Sequence, residues 1–87
     1  MYLPYNFIID LVMSREPKND NKKCGLHPDK RSFKLEDEMA KETECLDKCL
    51  KDPTCISMSA VWGVWCIGCK MILRSSRHGA EAFIKGK

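Results

Sequence analysis

Apolar and polar positions alternate along the chain after Pro53, and a period of two is typical of a β-strand. In the stretch "TCISMSAVW", one face of the predicted strand carries Ile56, Met58, Ala60 and Trp62. Gly63 then allows a turn or bulge, after which "VWCIGCKMIL" predicts a second strand. The polar stretch "RSSRHG" predicts a loop, and "AEAFIK" predicts a short final strand. This part of the chain is therefore predicted to form an antiparallel meander.

The segment upstream of this alternation, "EDEMAKETECLDKCLKD", has the period of a helix instead. Cys45 and Cys49 lie four positions apart, which places them on one helical face. The helix either begins near Glu36 or spans residues 44–51 with Thr43 as its N-cap, and an acidic first turn suits the positive end of the helix dipole in both cases. The proline that follows the segment is predicted to end the helix.

The N-terminal part of the chain shows neither period. Residues 14–32 are rich in Pro, Asn, Asp and Lys, which predicts a loop anchored only by Cys24. The opening "MYLPYNFIIDLVMS" is apolar, but it lacks a basic start and is interrupted by Asp10. We therefore interpret residues 1–23 as an N-terminal extension (a leader or propeptide remnant, or an added strand) plus a linker, and residues 24–87 as the domain. No segment reaches the roughly 18 apolar residues that a membrane span needs.

Cysteine content changes this picture most. A domain of 87 residues buries only about 60 % of the surface that its unfolded chain exposes, so its core is thin. Six cysteines, an even number, are typical of a small domain that disulfides stabilise outside the reducing cytosol. Two cysteines one helical turn apart can each reach a different strand. We therefore predict a secreted, extracellular protein in which three disulfides fix a helix to a sheet.

Other uses of the cysteines have less support in the sequence. Cys66 and Cys69 form a CxxC that can supply half of a zinc site, so a zinc-binding module is a weaker alternative. A redox use would need the first thiol at a helix N-terminus rather than inside a β-rich stretch. Both histidines, His27 and His78, fall in polar loops, and no catalytic triad, paired-carboxylate pattern or phosphate-binding glycine loop is recognisable. We predict no enzymatic activity, no catalytic or metal-binding residue and no cofactor.

Charge is distributed by segment. The net charge of +3 combines about +4 in residues 15–34, about −4 in residues 35–52 and about +4 in residues 53–87. A nucleic-acid-binding protein usually carries a continuous basic stripe with interleaved aromatic residues, whereas here basic segments flank an acidic helix. We therefore do not expect nucleic acid as a partner, while an anionic glycan remains compatible with the sequence.

The stretch "ECLDKCLKDPTCISMSAV", followed by "CKMIL" and "HGAEAFIK", resembles the PAN/apple family of disulfide-rich binding modules. The resemblance implies an α+β domain in which one helix packs on a curved antiparallel sheet. It also implies a disulfide between Cys49 and Cys55, a second from Cys45 to Cys66 or Cys69, and the remaining cysteine for Cys24. The chain departs from the family in its CxxC, since the sixth cysteine of an apple domain normally lies near the C-terminal end.

PAN/apple modules bind proteins or carbohydrates and are not enzymes, so the resemblance implies an extracellular recognition module. The candidate ligand-binding residues are two tryptophans and the downstream cations, which suit an anionic sugar or an acidic protein surface: Trp62, Trp65, Lys70, Arg74, Arg77 and Lys85. The alternative function is a small secreted cysteine-rich toxin, effector or inhibitor, because such proteins share this composition.

Overall fold

The structure is a computed structural model that describes residues 11–25 and 28–86. These residues form the helix α1 and seven strands. The strands are β1 (Val12–Arg15), β2 (Lys22–Lys23), β3 (Arg31–Glu36), β4 (Ser57–Val61), β5 (Trp65–Cys69), β6 (Ser75–Ser76) and β7 (Glu81–Gly86), and α1 spans Glu42–Lys51. The apolar opening up to Asp10, His27 and the last residue of the predicted domain lie outside the described residues.

The strands form two antiparallel sheets. The larger sheet has the order β1-β7-β4-β5-β3, and the smaller one pairs β2 with β6. Helix α1 packs on the larger sheet, so the predicted α+β class is confirmed. The predicted meander is wrong in its strand order, because β7 pairs with β4 rather than with β5. The chain leaves the sheet after β5 to form β6 and returns on the other side of β4.

Two segments that were predicted as loops contain strands. Ser75 and Ser76 of "RSSRHG" pair with Lys22 and Lys23, and residues 14–32 include parts of β1 and β3 as well as all of β2. Backbone pairing with a partner distant in sequence orders these polar segments, and no local pattern reports it. Strand β1 pairs with β7 along its whole length.

Helix α1 begins between the two predicted starts. Its N-cap is Lys41, and Thr43 lies inside the helix, so the predicted N-cap is wrong. The acidic residues upstream form a separate 3₁₀ turn, Asp37–Met39. This turn cannot continue the helix because its backbone is tied to the β4–β5 turn: Asp37 N donates to Val64 O and Gly63 N donates to Ala40 O, both at 2.9 Å. The end of the helix before the proline is confirmed.

Strand β4 is buried on both faces. On the helix side, Met58 and Ala60 pack with Phe83 and the helix cysteines. On the opposite side, a second apolar cluster contains Trp65, Ile67 and Ala82. The predicted strand alternation is confirmed for Met58 and Ala60, whereas Ile56 precedes the strand and remains 39 % exposed. The fold therefore has three layers: the helix, the large sheet, and the segments that cover its far face.

All six cysteines form disulfides and are buried. The pairs are Cys24–Cys69, Cys45–Cys66 and Cys49–Cys55. These are pairs that the PAN/apple resemblance implied, with Cys66 as the partner of the first helix cysteine. Cys45–Cys66 fixes α1 to β5, Cys49–Cys55 fixes it to the segment just before β4, and Cys24–Cys69 fixes the N-terminal segment to the end of β5.

Candidate functional site

Strand β3 contains a β-bulge that determines which of its side chains share a face. Arg31 lies opposite Cys69, whereas Phe33 lies opposite Gly68, so β3 has one residue more than β5 between these pairs. In a regular strand Arg31 and Lys34, which are separated by an odd number of positions, would point to opposite faces. The extra residue of a bulge shifts this alternation. Both cations therefore lie on the sheet face that is opposite the helix.

This face carries a small basic depression. Its floor is formed by Trp65 and Ile67, which are only 7 % and 3 % exposed. The side chains that line the depression, including this floor, enclose about 120 Å³ and are Lys23, Arg31, Lys34, Trp65, Ile67 and Arg77. Two of the cations come from β3 and two come from the β2–β6 ribbon and its flank. We refer to these six residues as the basic depression.

The Arg77 side chain lies over the floor of the depression. Its Cζ atom is 5.7 Å from the centroid of the Trp65 ring, which is within the range of a cation–π interaction. The backbone of this segment is held by Asn21, whose carbonyl oxygen accepts a hydrogen bond from Arg77 N at 2.7 Å and whose side chain accepts one from Gly79 N at 2.8 Å. These two hydrogen bonds therefore fix the backbone from which the Arg77 side chain extends.

The ribbon is anchored in turn by Asp20. Its carboxylate accepts hydrogen bonds from the Arg15 guanidinium at 2.7 and 2.8 Å and from Ala82 N at 2.8 Å. These bonds stabilise the charged form and lower the pKa of Asp20 from 3.8 to about 2. Because Asp20 directly precedes Asn21, the anchor connects the ribbon to β1 and β7 of the large sheet.

Arg31 has a donor that no described residue satisfies. Its Nε atom is buried and makes no hydrogen bond to any residue within 11–25 and 28–86. A buried donor without an acceptor costs about 1–3 kcal/mol, so such atoms are rare in native structures. The same residue lines the basic depression.

One cation of the depression, Lys34, forms an ion pair with Glu36. Its Oε2 atom lies 3.4 Å from Lys34 Nζ, and both side chains are exposed. Glu36 is also opposite Trp65 in the β3–β5 pairing. An exposed ion pair of this kind contributes less than about 1 kcal/mol, so it neutralises Lys34 only weakly. None of the described residues that line the depression is acidic, and its charge is therefore strongly positive.

The structure brings together only two of the six predicted ligand-binding residues, Trp65 and Arg77. Lys70 and Arg74 are exposed. They lie near the depression, because their backbone N–H groups donate to Lys30 O and Lys23 O. They do not line the depression. Lys23, Arg31 and Lys34 line the depression but are absent from the predicted set.

Trp62 and Lys85 lie on the helix side instead. Trp62 is half-buried, packs edge-on against Phe83 and donates a hydrogen bond from Nε1 to Glu81 at 3.1 Å. Lys85 Nζ donates to the carbonyl oxygen of Asp52, the residue at the C-terminal end of α1, at 2.8 Å. Partial burial lowers the pKa of Lys85. Both side chains therefore make contacts that stabilise the fold.

The helix side has larger but shallower depressions. One, of about 450 Å³, lies along α1 near Met39, and another, of about 610 Å³, lies between β1 and α1. The lining of the first contains both signs of charge, whereas the charged residues that line the second, Glu44 and Asp47, are both acidic. They lack the convergent set of like charges that distinguishes the basic depression.

Other chemistries find little support in the described part of the chain. Cys66 and Cys69 are oxidised in separate disulfides, so neither is available as a thiolate for zinc or for redox exchange. Within residues 11–25 and 28–86 no group of three or more potential ligand side chains is placed to hold a metal ion. His78 is exposed. The described helices include none that is both long and apolar enough to cross a membrane.

Comparison with known proteins adds no relative to this description. No protein-family model, no curated protein sequence and no solved structure matches this chain. The geometry of the basic depression is therefore the observation on which a function is based.

Proposed function

We propose that this chain is an extracellular, non-enzymatic binding module of the PAN/apple type, which recognises an anionic glycan or protein through the basic depression. Three buried disulfides in a small domain fit an extracellular cysteine-rich module. The observation that carries the proposal is the convergence of four cationic side chains on a nearly buried Trp65 and Ile67.

The distribution of charge favours the basic depression, rather than the helix side, as the binding surface. The outer surface of α1 and the preceding turn contain acidic residues such as Asp37, Glu38, Glu42 and Glu44, which would repel an anion. The far face of the sheet presents cations from β2, β3 and the segment after β6. A field of this shape attracts and orients an anionic partner, and complementary charge contributes mainly to association rate and specificity.

Binding of the refolded, oxidised protein to a surface-bound sulfated polysaccharide, polyglutamate and neutral dextran tests the proposal. We expect binding to at least one anionic surface and none to dextran, with affinity that falls as salt increases. The double variant Lys23→Gln with Arg77→Gln should lose about tenfold or more in affinity, because it removes two charges from the depression.

A matched control is Lys18→Gln with Lys41→Gln, which removes the same net charge from exposed positions outside the depression. We expect this control to change the affinity less than about threefold, through the net charge alone. Absence of binding to every anionic surface, or equal losses in the two double variants, would contradict the proposed function.

A further inference from the structure

We infer that the basic depression is a subsite for a single sulfo group of a sulfated glycan, with the guanidinium groups of Arg31 and Arg77 as its principal donors. This inference rests on the proposed function and deepens it, since it names both the ligand class and the atoms that recognise it. The lysines Lys23 and Lys34 add positive charge at the rim.

The size of the depression sets the size of the group that it holds. Pockets that bury a drug-sized ligand enclose about 300–1,000 Å³, and the basic depression encloses about 120 Å³. A saccharide ring with its substituents therefore stays outside. One compact anionic substituent of a larger ligand fits, while the rest of the ligand lies across the surrounding surface.

The donors approach this volume from two elements. Arg31 belongs to β3, and Arg77 follows β6 of the ribbon. Donors from two elements suit a group with three terminal oxygens arranged in space, such as a sulfo group, better than a planar carboxylate with two oxygens. A guanidinium group presents its N–H donors as a fixed fork that matches oxyanions.

Both guanidinium groups have donors to offer. A cation–π contact with Trp65 consumes none of the N–H groups of Arg77, because the ring acts through its face. The Nε atom of Arg31 is buried without an acceptor among the described residues. Four cationic side chains converge on this depression, which gives the anion a reason to bind here rather than at an isolated surface lysine.

The composition of the surface favours a glycan over a protein partner. Protein interfaces derive most of their affinity from apolar and aromatic anchors in well-packed pockets. The apolar floor of the depression is only 7 % exposed at Trp65 and 3 % at Ile67, so it has almost no area for such an anchor. Exposed Lys70 and Arg74 near the depression extend the positive surface, as a chain with repeated anionic groups requires.

The test is a calorimetric titration of the oxidised 87-residue chain with four probes. These are a highly sulfated heparin hexasaccharide, the same hexasaccharide after desulfation and N-acetylation, a sulfotyrosine peptide, and single-stranded DNA of the same nominal charge as the first probe. We expect the sulfated hexasaccharide to bind at least about tenfold more tightly than each of the others, which corresponds to about 1.4 kcal/mol.

Charge-preserving variants test the subsite itself. Arg31→Lys and Arg77→Lys retain the positive charge but remove the guanidinium fork, and each should weaken binding of the sulfated hexasaccharide by about tenfold. Arg74→Lys, which lies outside the depression, is the matched control and should change the affinity less than about twofold. Glu36→Gln should strengthen binding about twofold to fivefold at low salt and have little effect at high salt, because the carboxylate is exposed.

Each result supports or overturns the inference. Equal affinity for the sulfated and desulfated hexasaccharides, or for DNA, would overturn the sulfo subsite. Unchanged binding in both Arg→Lys variants would also overturn it, provided that both variants retain the wild-type thermal midpoint. If either variant fails to fold, the other one and Glu36→Gln decide the question. Tighter binding of the sulfotyrosine peptide would overturn the glycan assignment but leave the proposed function intact. Absence of binding to all anionic probes and surfaces would contradict both.

Discussion

Removal of the three disulfides one at a time should destabilise the protein in the order of the loops that they close. Cys24–Cys69 spans 45 residues of sequence, Cys45–Cys66 spans 21 and Cys49–Cys55 spans 6. If a crosslink acts by restricting the unfolded chain, these loops correspond to about 4.0, 3.3 and 2.2 kcal/mol. The longest and the shortest crosslink should therefore differ by about 1.8 kcal/mol.

Paired Cys→Ala variants make this comparison fair. Every cysteine is at most 1 % exposed, so each pair of substitutions removes two buried sulfur atoms and the packing losses are similar. Urea unfolding reports the free energy of unfolding, and the fluorescence of the nearly buried Trp65 follows the transition. In a domain of this size, 1.8 kcal/mol corresponds to about 7–14 °C in the thermal midpoint, so Cys24→Ala with Cys69→Ala should melt that much below Cys49→Ala with Cys55→Ala.

The opposite order would refute this reasoning. If loss of Cys49–Cys55 costs as much as loss of Cys24–Cys69, the bonds act by holding the native packing of the helix rather than by limiting the unfolded chain. An unfolded Cys24→Ala with Cys69→Ala variant beside a folded Cys49→Ala with Cys55→Ala variant agrees with the predicted order. The total stability of small domains, about 5–15 kcal/mol, makes that outcome realistic.

Three further perturbations test other parts of the structure. Gly68→Ala should lower the free energy of unfolding in urea by about 1–3 kcal/mol, because the added Cβ would lie under 3.0 Å from ring atoms of Phe33. The control Gly86→Ala, whose Cβ would meet nothing within 4 Å, should change it by less than about 0.5 kcal/mol. Because hydrogen bonds lower the pKa of Asp20 to about 2 from 3.8, the free energy of unfolding should fall as the pH drops from about 4 to about 2. In Asp20→Asn it should be about 1 kcal/mol lower at pH 5, and its decrease between about pH 4 and about pH 2 should be smaller than in the wild type. Lys85→Met should lower the free energy of unfolding by up to about 1 kcal/mol through loss of the hydrogen bond to the helix end, without changing binding of the sulfated hexasaccharide; a loss of binding would place Lys85 in the site.

Local patterns predicted the elements that local physics determines. The helix around Cys45 and Cys49 and the strands β4, β5 and β7 were predicted from periodicity and β-rich composition, while a proline and Gly63 predicted the helix end and the turn. Helical and strand periods arise from neighbouring residues on one element, so a single sequence contains them. The α+β class followed from the same elements.

The basic depression was only partly predictable, because long-range pairing creates it. A period-two reading of β3 would separate Arg31 from Lys34, and only the pairing with β5 shows the extra residue that brings them together. Lys23 belongs to a two-residue strand that exists through its pairing with β6. Conversely, Trp62 and Lys85 have the residue types expected of a binding site but form contacts within the fold. Residue type alone could not distinguish these two outcomes.

The spacing of the CxxC has a mechanical consequence. Cys66 and Cys69 are separated by an odd number of positions within β5, so they leave the strand on opposite faces. One bond runs to the helix and the other to the segment before β3. Tension applied between these two layers is therefore carried through β5 by covalent bonds alone, without loading a single hydrogen bond between strands. Under such a load the helix, β5 and the N-terminal segment would move as one covalently linked body.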